Sequence, residues 1–211
     1  MEQFKNSDGK VIVEKMIKVI QENKDYLGTV DGAIGDGDHG INMNKGFTIC
    51  AERIAGQDCT FSEALVTLGD VLLSEIGGSM GPIYGTLFIE MGETSQDKEE
   101  IDSALFLEMV KNAVEGLSAL VDARIGDKTL MDVMLPAEAA LEKAVAEGKP
   151  FDAALDDFAA AAESGRDSTK DMVAKFGRAS RLGERSRGVL DAGSVSCALL
   201  LRSMSDAIQA M

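Results

Sequence analysis

Tryptophan is absent from this chain, aromatic residues make up only 5% of it, and it has three prolines, three cysteines and a single histidine. Each scarcity excludes something. Cys50, Cys59 and Cys197 are odd in number and lack metal-site spacing, so neither a disulfide framework nor a zinc cluster is expected; all three read as reduced, buried thiols. Cations are short: 21 Lys and Arg face 36 Asp and Glu, a net charge of -15. That balance argues against nucleic acid or an anionic membrane as partner, because both are bound through cationic contacts. No apolar run approaches the 18 residues a spanning helix needs, and the N-terminus is polar rather than leader-like. A cytoplasmic protein is therefore expected, its 211 residues forming a single domain over 1–211.

What is abundant is helix-forming: alanine, leucine, methionine and glutamate. Apolar residues recur at spacings of three and four along the whole chain, and alternation of period two is missing. The pattern predicts eight helices. The first runs from about 10 to 24 and the second from about 41 to 55. The third opens at a capping box, Thr60-Phe-Ser-Glu63, and ends near 75. The fourth spans about 82–93, and the fifth about 103–123. The sixth is capped by Thr129 and bends at Pro136; the seventh starts at Pro150 and the eighth near Gly193. Short connections between such helices imply an all-α, antiparallel eight-helix bundle or barrel.

The chemistry concentrates in Asp31-Gly-Ala-Ile-Gly-Asp36-Gly-Asp38-His39-Gly40-Ile41-Asn42-Met-Asn44. Three aspartates and the only histidine fall within nine positions, separated by glycines that let the backbone turn tightly. Carboxylates this crowded repel by about 4 kcal/mol per pair at ~4 Å in an effective dielectric of 20. A hard divalent cation relieves that repulsion, and oxygen ligands suit Mg²⁺ or Ca²⁺. Two familiar motifs overlap the segment and fail. Gly35-Asp-Gly37-Asp-His-Gly40 has dinucleotide-fingerprint spacing, but aspartates stand where bare N–H groups should meet phosphate. An EF-hand counted from Asp36 places Ile41 at the turn glycine and Phe47 at the bidentate glutamate.

A second unusual segment lies between Phe176 and Gly193. Arg178, Arg181, Arg185 and Arg187 fall within ten residues of an otherwise acidic protein. Guanidinium forks suit phosphate oxygens. In an up-and-down arrangement every second connection lies at one end. The acidic segment, the glycine-rich Gly77–Pro82 segment, Gly126–Thr129 and the arginine segment are four such connections. They can therefore build one composite site, with metal-binding carboxylates and arginine on the same phosphate-bearing ligand.

Four segments, DGAIGDGDHGINMN from Asp31, GGSMGPIYG from Gly77, GDKT from Gly126 and GRASRLGERSRGVLDAG from Gly177, resemble the nucleotide-binding (L) subunit of the dihydroxyacetone kinase family in order and spacing. The resemblance spans essentially the whole chain. It implies an eight-helix barrel with ADP or ATP and two Mg²⁺ ions at one end, Asp31, Asp36 and Asp38 being the metal ligands. It also implies nucleotide contacts from His39, Gly40, Ile41, Asn42, Ser79, Met80, Leu130, Arg178, Asp191, Ala192 and Gly193, with His39 and Arg178 nearest the chemistry. Phosphoryl would pass to dihydroxyacetone, or a related small ketose, held by a separate substrate-binding (K) subunit. The donor would be ATP or a phosphotransferase-system protein. The family commonly has a small hydroxyl residue where Met80 stands and methionine where Leu130 stands. A different class of function, a non-catalytic nucleotide-binding or docking module, would not require three mutually repelling carboxylates.

Overall fold

Ile12, Val13, Met16, Ile17 and Ile20 keep the three-and-four spacing and are all buried along one face of α1 (Lys10–Glu22). The same logic builds the rest of this computed structural model, which describes residues 2–211. Helices α2 (Lys24–Gly32), α3 (His39–Ile54), α4 (Phe61–Glu75) and α5 (Met80–Ser95) are followed by α6 (Ser103–Leu120), α7 (Met131–Ala146), α8 (Phe151–Ser168) and α9 (Ala192–Gln209). Two three-residue strands, β1 (Gln3–Lys5) and β2 (Glu100–Asp102), pair antiparallel with Phe4 opposite Ile101.

Packing follows the chain around a closed ring. Helix α1 lies against α3, then α3 against α4, α4 against α5, and so on through α8 against α9; α9 returns to α1. Helix α2 packs against α3 and α9. The ring encloses a continuous apolar core in which Phe106 meets Phe151 and Phe158, and Phe88 meets Phe47 and Tyr84, at centroid distances of 5.6–6.2 Å.

Two expectations change. Nine α-helices are present among the described residues, because the stretch expected to begin the acidic loop folds as α2 and carries Asp31 in its last turn. Asn23 alone separates α1 from α2: its N–H and its side-chain amide both donate to the Val19 carbonyl, and its own carbonyl accepts from Leu27. The two helices thus count as one interrupted passage, and the alternation of the remaining connections survives. The short β pair was also not expected; three residues are too few for alternation to show.

Helix α7 runs through Pro136, which cannot donate to the Asp132 carbonyl. Gly165 of α8 presses against that carbonyl, and a Cβ there would come within 2.1 Å of it. Away from the arginine and acidic segments, the Thr60–Glu63 capping box forms as the sequence indicates. Near it, Asn6 donates to Ser62 Oγ and to the carbonyls of Ser95 and Lys98 at 2.9–3.0 Å, tying the strand pair to α4 and α5.

Candidate functional site

Helices α3, α5, α7 and α9 all start at one end of the ring, and their first turns border a cavity of about 500 Å³. Its lining draws on all four connections singled out by parity: Asp31, Asp36, Asp38, His39 and Asn42; Gly77, Gly78, Ser79 and Met80; Lys128, Thr129 and Leu130; and Arg178 with Asp191, Ala192 and Gly193. Each N-terminus carries partial positive charge and free N–H groups. The first turn of α5 has no side-chain cap, which leaves its N–H groups available at the glycine-rich loop.

The three aspartates come from different local structures. Asp31 ends α2, Asp36 lies in the turn, and Asp38 is the N-cap residue of α3. Gly40 brings the two helices together: a Cβ there would stand 2.0 Å from the Lys24 carbonyl oxygen and 2.7 Å from Gly28 N. Asp31 then accepts from the His39 backbone N–H at 3.3 Å, and one carboxylate oxygen from each aspartate falls within 4.8 Å of the others. Burial, then the Asp36 and Asp31 charges, push Asp38 above the usual carboxylate range, while Arg178 and Asn42 pull the other way. Arg178 forms an ion pair with Asp36. All-oxygen donors, repulsion that Arg178 offsets only in part, and an open mouth fit a hard divalent cation at this cluster.

His39 lines the cavity and donates or accepts at Nε2 to Ser196 Oγ, 2.8 Å away. The ring is surrounded by protein yet reached by solvent from the cavity, and burial pushes its pKa down to about 4. Asp191 caps α9 by accepting from the Ser194 N–H at 2.7 Å, and burial raises its carboxyl to about 6.

Not every expected residue reaches the cavity wall. Gly40 is spent on helix packing, and Ile41 points outward with 59% exposure. Lys128 borders the cavity, but its ammonium is buried and donates to the carbonyls of Thr169 and Val189. It serves as a structural clamp rather than a free phosphate ligand, and it holds a left-handed backbone at φ 62°. The GDKT turn is organised from below by Asp132, which accepts from Gly126 and Thr129 N–H groups. Thr129 is therefore not the N-cap of α7, although its hydroxyl accepts from the Met131 N–H at 3.2 Å. Of the arginines, only Arg178 lines the cavity. Ser196 and Tyr84 were not anticipated; both sit in ordinary helical patterns, and the one signal was that a lone histidine near carboxylates needs a partner.

The DAK2 domain family matches residues 33–206. The ADP-binding subunit DhaL of the PEP-dependent dihydroxyacetone kinase 1 of Listeria innocua is 37% identical over 186 residues, 88% of this chain and 88% of that protein. The corresponding Escherichia coli subunit is 35% identical over 190 residues, 89% and 90% of the two chains. The D-erythrulose kinase of Mycolicibacterium smegmatis is 33% identical over 92% of this chain but only 34% of its own length. Among solved structures, the dihydroxyacetone kinase of C. freundii in complex with AMP-PNP and Mg²⁺ superposes with a TM-score of 0.69 at 20% identity, over 98% of this chain and 35% of that one, so the fold is shared. Its native form gives a TM-score of 0.71 over 95% of this chain and 34% of that one. With the domain match covering most of the sequence and relatives above 30% identity along nearly their full length, the chain belongs to the DAK2 domain family, alongside the ADP-binding subunits of dihydroxyacetone kinases.

Proposed function

We propose that this chain is the nucleotide-binding subunit of a dihydroxyacetone kinase, holding Mg²⁺–ADP or Mg²⁺–ATP and passing phosphoryl to dihydroxyacetone, or a related small ketose, on a separate substrate-binding subunit. The observation that carries the reading is the convergence of Asp31, Asp36 and Asp38 within 4.8 Å at a cavity bordered by four helix N-termini and Arg178. Bound Mg²⁺ would neutralise phosphate charge, which is most of what phosphoryl transfer asks of a protein. The chain's own groups do the rest. The three carboxylates hold the metal; the uncapped N–H groups of α5 and the Arg178 guanidinium meet anionic oxygens; Leu130 and Ile83 offer apolar surface suited to a base. Arg178 must leave Asp36 to reach a ligand, so a metal that takes Asp36 and a nucleotide that takes Arg178 break the same ion pair and favour each other's binding.

Among the described residues lining the cavity no lysine is free to form a Schiff base, and the one hydroxyl paired with His39, that of Ser196, is buried behind the ring and out of a ketose's reach. Phe176 lines the cavity and is 41% exposed, and other exposed apolar side chains lie on the segments that lead to it: Ile41 in the first turn of α3, Leu73 near the α4 end, and Leu120 and Ile125 at the α6–α7 connection. Exposed apolar groups around a charged recess suit docking to another protein. That partner would supply the ketose, and a phosphotransferase-system protein could recharge retained ADP; relatives of this chain are named as ADP-binding subunits of PEP-dependent and PTS-dependent dihydroxyacetone kinases. Purified alone, the chain should bind Mg²⁺–ADP yet phosphorylate dihydroxyacetone at background rate, because orientation of the acceptor can be worth roughly 7–11 kcal/mol of the barrier. Adding a substrate-binding subunit, with ATP or with a PEP-driven phosphoryl donor, should restore transfer. Vigorous turnover by the single chain would defeat the two-subunit reading; nucleotide binding without turnover under any pairing would favour a docking module.

A further inference from the structure

Behind His39 stands a buried chain of hydroxyl groups. Ser196 Oγ is 2.8 Å from His39 Nε2; the Tyr84 hydroxyl is 2.6 Å from Ser196 Oγ and 3.0 Å from the Gly193 carbonyl oxygen. Ser196 is fully buried and Tyr84 nearly so. The carbonyl at the far end can only accept, and each hydroxyl has one proton to give. One order places a proton in every gap: Nε2–H to Ser196, Ser196 to Tyr84, Tyr84 to Gly193. Ser196 also lies 3.1 Å and 3.2 Å from the carbonyls of Ala192 and Gly193. If it donates there, Tyr84 must donate to Ser196, and Nε2 still carries the proton. Donation from Ser196 to His39 reverses the ring; like the second arrangement it leaves the Gly193 carbonyl facing the phenol oxygen at 3.0 Å with no proton between them, so the first order alone fills every gap.

We propose that Ser196 and Tyr84 are positioning residues that hold the His39 ring through an Nε2–H donor and present Nδ1 to the cavity. In the neutral ring Nδ1 is an acceptor, and phosphate oxygens offer it no proton. His39 therefore takes an O–H group, either a water in the ion's shell or a hydroxyl of the nucleotide, rather than the phosphate contact that its place in the loop suggests. This second step rests on the nucleotide reading above; the first does not.

The chain's only histidine makes the test direct. In protein labelled with ¹⁵N-histidine, long-range ¹H–¹⁵N correlation shows which ring nitrogen is protonated. The Nε2–H form should dominate by roughly tenfold, the equivalent of one hydrogen bond. A dominant Nδ1–H form overturns the proposal. Tyr84→Phe keeps the ring that stacks on Phe88, and Ser196→Ala removes the middle hydroxyl. Ser196→Ala should bring the ratio down to that of a free histidine side chain, and Tyr84→Phe should lower it less, because Ser196 can still give its proton to the Ala192 carbonyl; an unchanged ratio in Ser196→Ala would refute the positioning role. Mg²⁺–ADP and its 2′,3′-dideoxy analogue then separate the donors. A shift of the Nδ1 signal with both points to water, and a shift with ADP alone points to a ribose hydroxyl. Calorimetric binding without either shift overturns the donor assignment, whereas no binding at all fails the nucleotide reading and leaves the tautomer result standing.

Discussion

Arg178 and Arg187 belong to one loop and commit their guanidinium groups differently. Arg187 is engaged by Glu184 and by the Asp171 carbonyl, away from the cavity; Arg178 borders it beside Asp36. Arg178→Ala should weaken Mg²⁺–ADP binding about tenfold or more, on the scale of a charge-assisted hydrogen bond, and Arg187→Ala should leave calorimetric affinity near wild type. Equal losses would mean diffuse attraction by the whole loop. Asp191 permits a prediction in pH. Its carboxyl rises from 3.8 in the unfolded chain to about 6 in the fold, so the folded state takes up the proton first and stability contributed by this group falls as pH rises from about 4 to 6. Asp191→Asn removes that slope while keeping an oxygen for the α9 cap. The variant should therefore gain on wild type across this window, by about 3 kcal/mol at most, in urea titrations at successive pH values. A difference independent of pH would show that Asp191 titrates normally. Lys128 marks a limit of reading residues from a motif: the GDKT pattern puts a cation at the site, but only the fold shows its ammonium turned onto two carbonyls.

At the scale of elements, Gly40 is the contact on which the metal cluster depends. A methyl group there would collide with the Lys24 carbonyl and force α3 away from α2, carrying Asp38 and His39 away from Asp31. Gly40→Ala should cost about 1–3 kcal/mol in thermal or urea unfolding and weaken Mg²⁺ binding as well. Thr60→Ala, which breaks the capping box, should cost about 1 kcal/mol and leave Mg²⁺ binding intact. If both variants lose stability with metal affinity unchanged, the α2–α3 spacing does not set the cluster. The long helices were legible in the sequence because each buries a continuous stripe, as in α1 and α4. Helix α2 was not: it buries only Leu27, and its glycines at 28 and 32 read as loop. Gly28 is where Gly40 of α3 closes in and Gly32 faces Gly37 of the turn, contacts that no local pattern reveals. Helix starts shifted by a residue or two for similar reasons. Helix α5 begins at Met80 because Pro82, in the first turn, lacks an N–H that would be unpaired there anyway. The Ser196–Tyr84 pair was invisible because hydroxyls 112 positions apart meet only across the closed ring.

For the whole molecule, ligand binding and stability should be coupled. The cavity is assembled from first turns of four helices, so a ligand that touches all of them favours the closed ring. At a hundredfold excess over Kd, Mg²⁺–ADP should add about 2.7 kcal/mol and raise the melting midpoint by roughly 5–10 °C in a thermal-shift assay. ADP with chelator should add much less, and no response to Mg²⁺–ADP would remove the nucleotide from the cavity. The seam where α9 returns to α1 has a consequence for synthesis. Its contacts join the earliest helix to the last, and such long-range contacts form late because the loop-closure entropy of the whole chain comes first. A nascent chain stalled before α9 would hold all three aspartates but lack Ala192, Gly193 and Ser196, and its ring would stand open beside the apolar face of α1. Nucleotide competence should therefore appear abruptly once the ribosome has released α9, and until then the exposed seam is the surface a chaperone would meet.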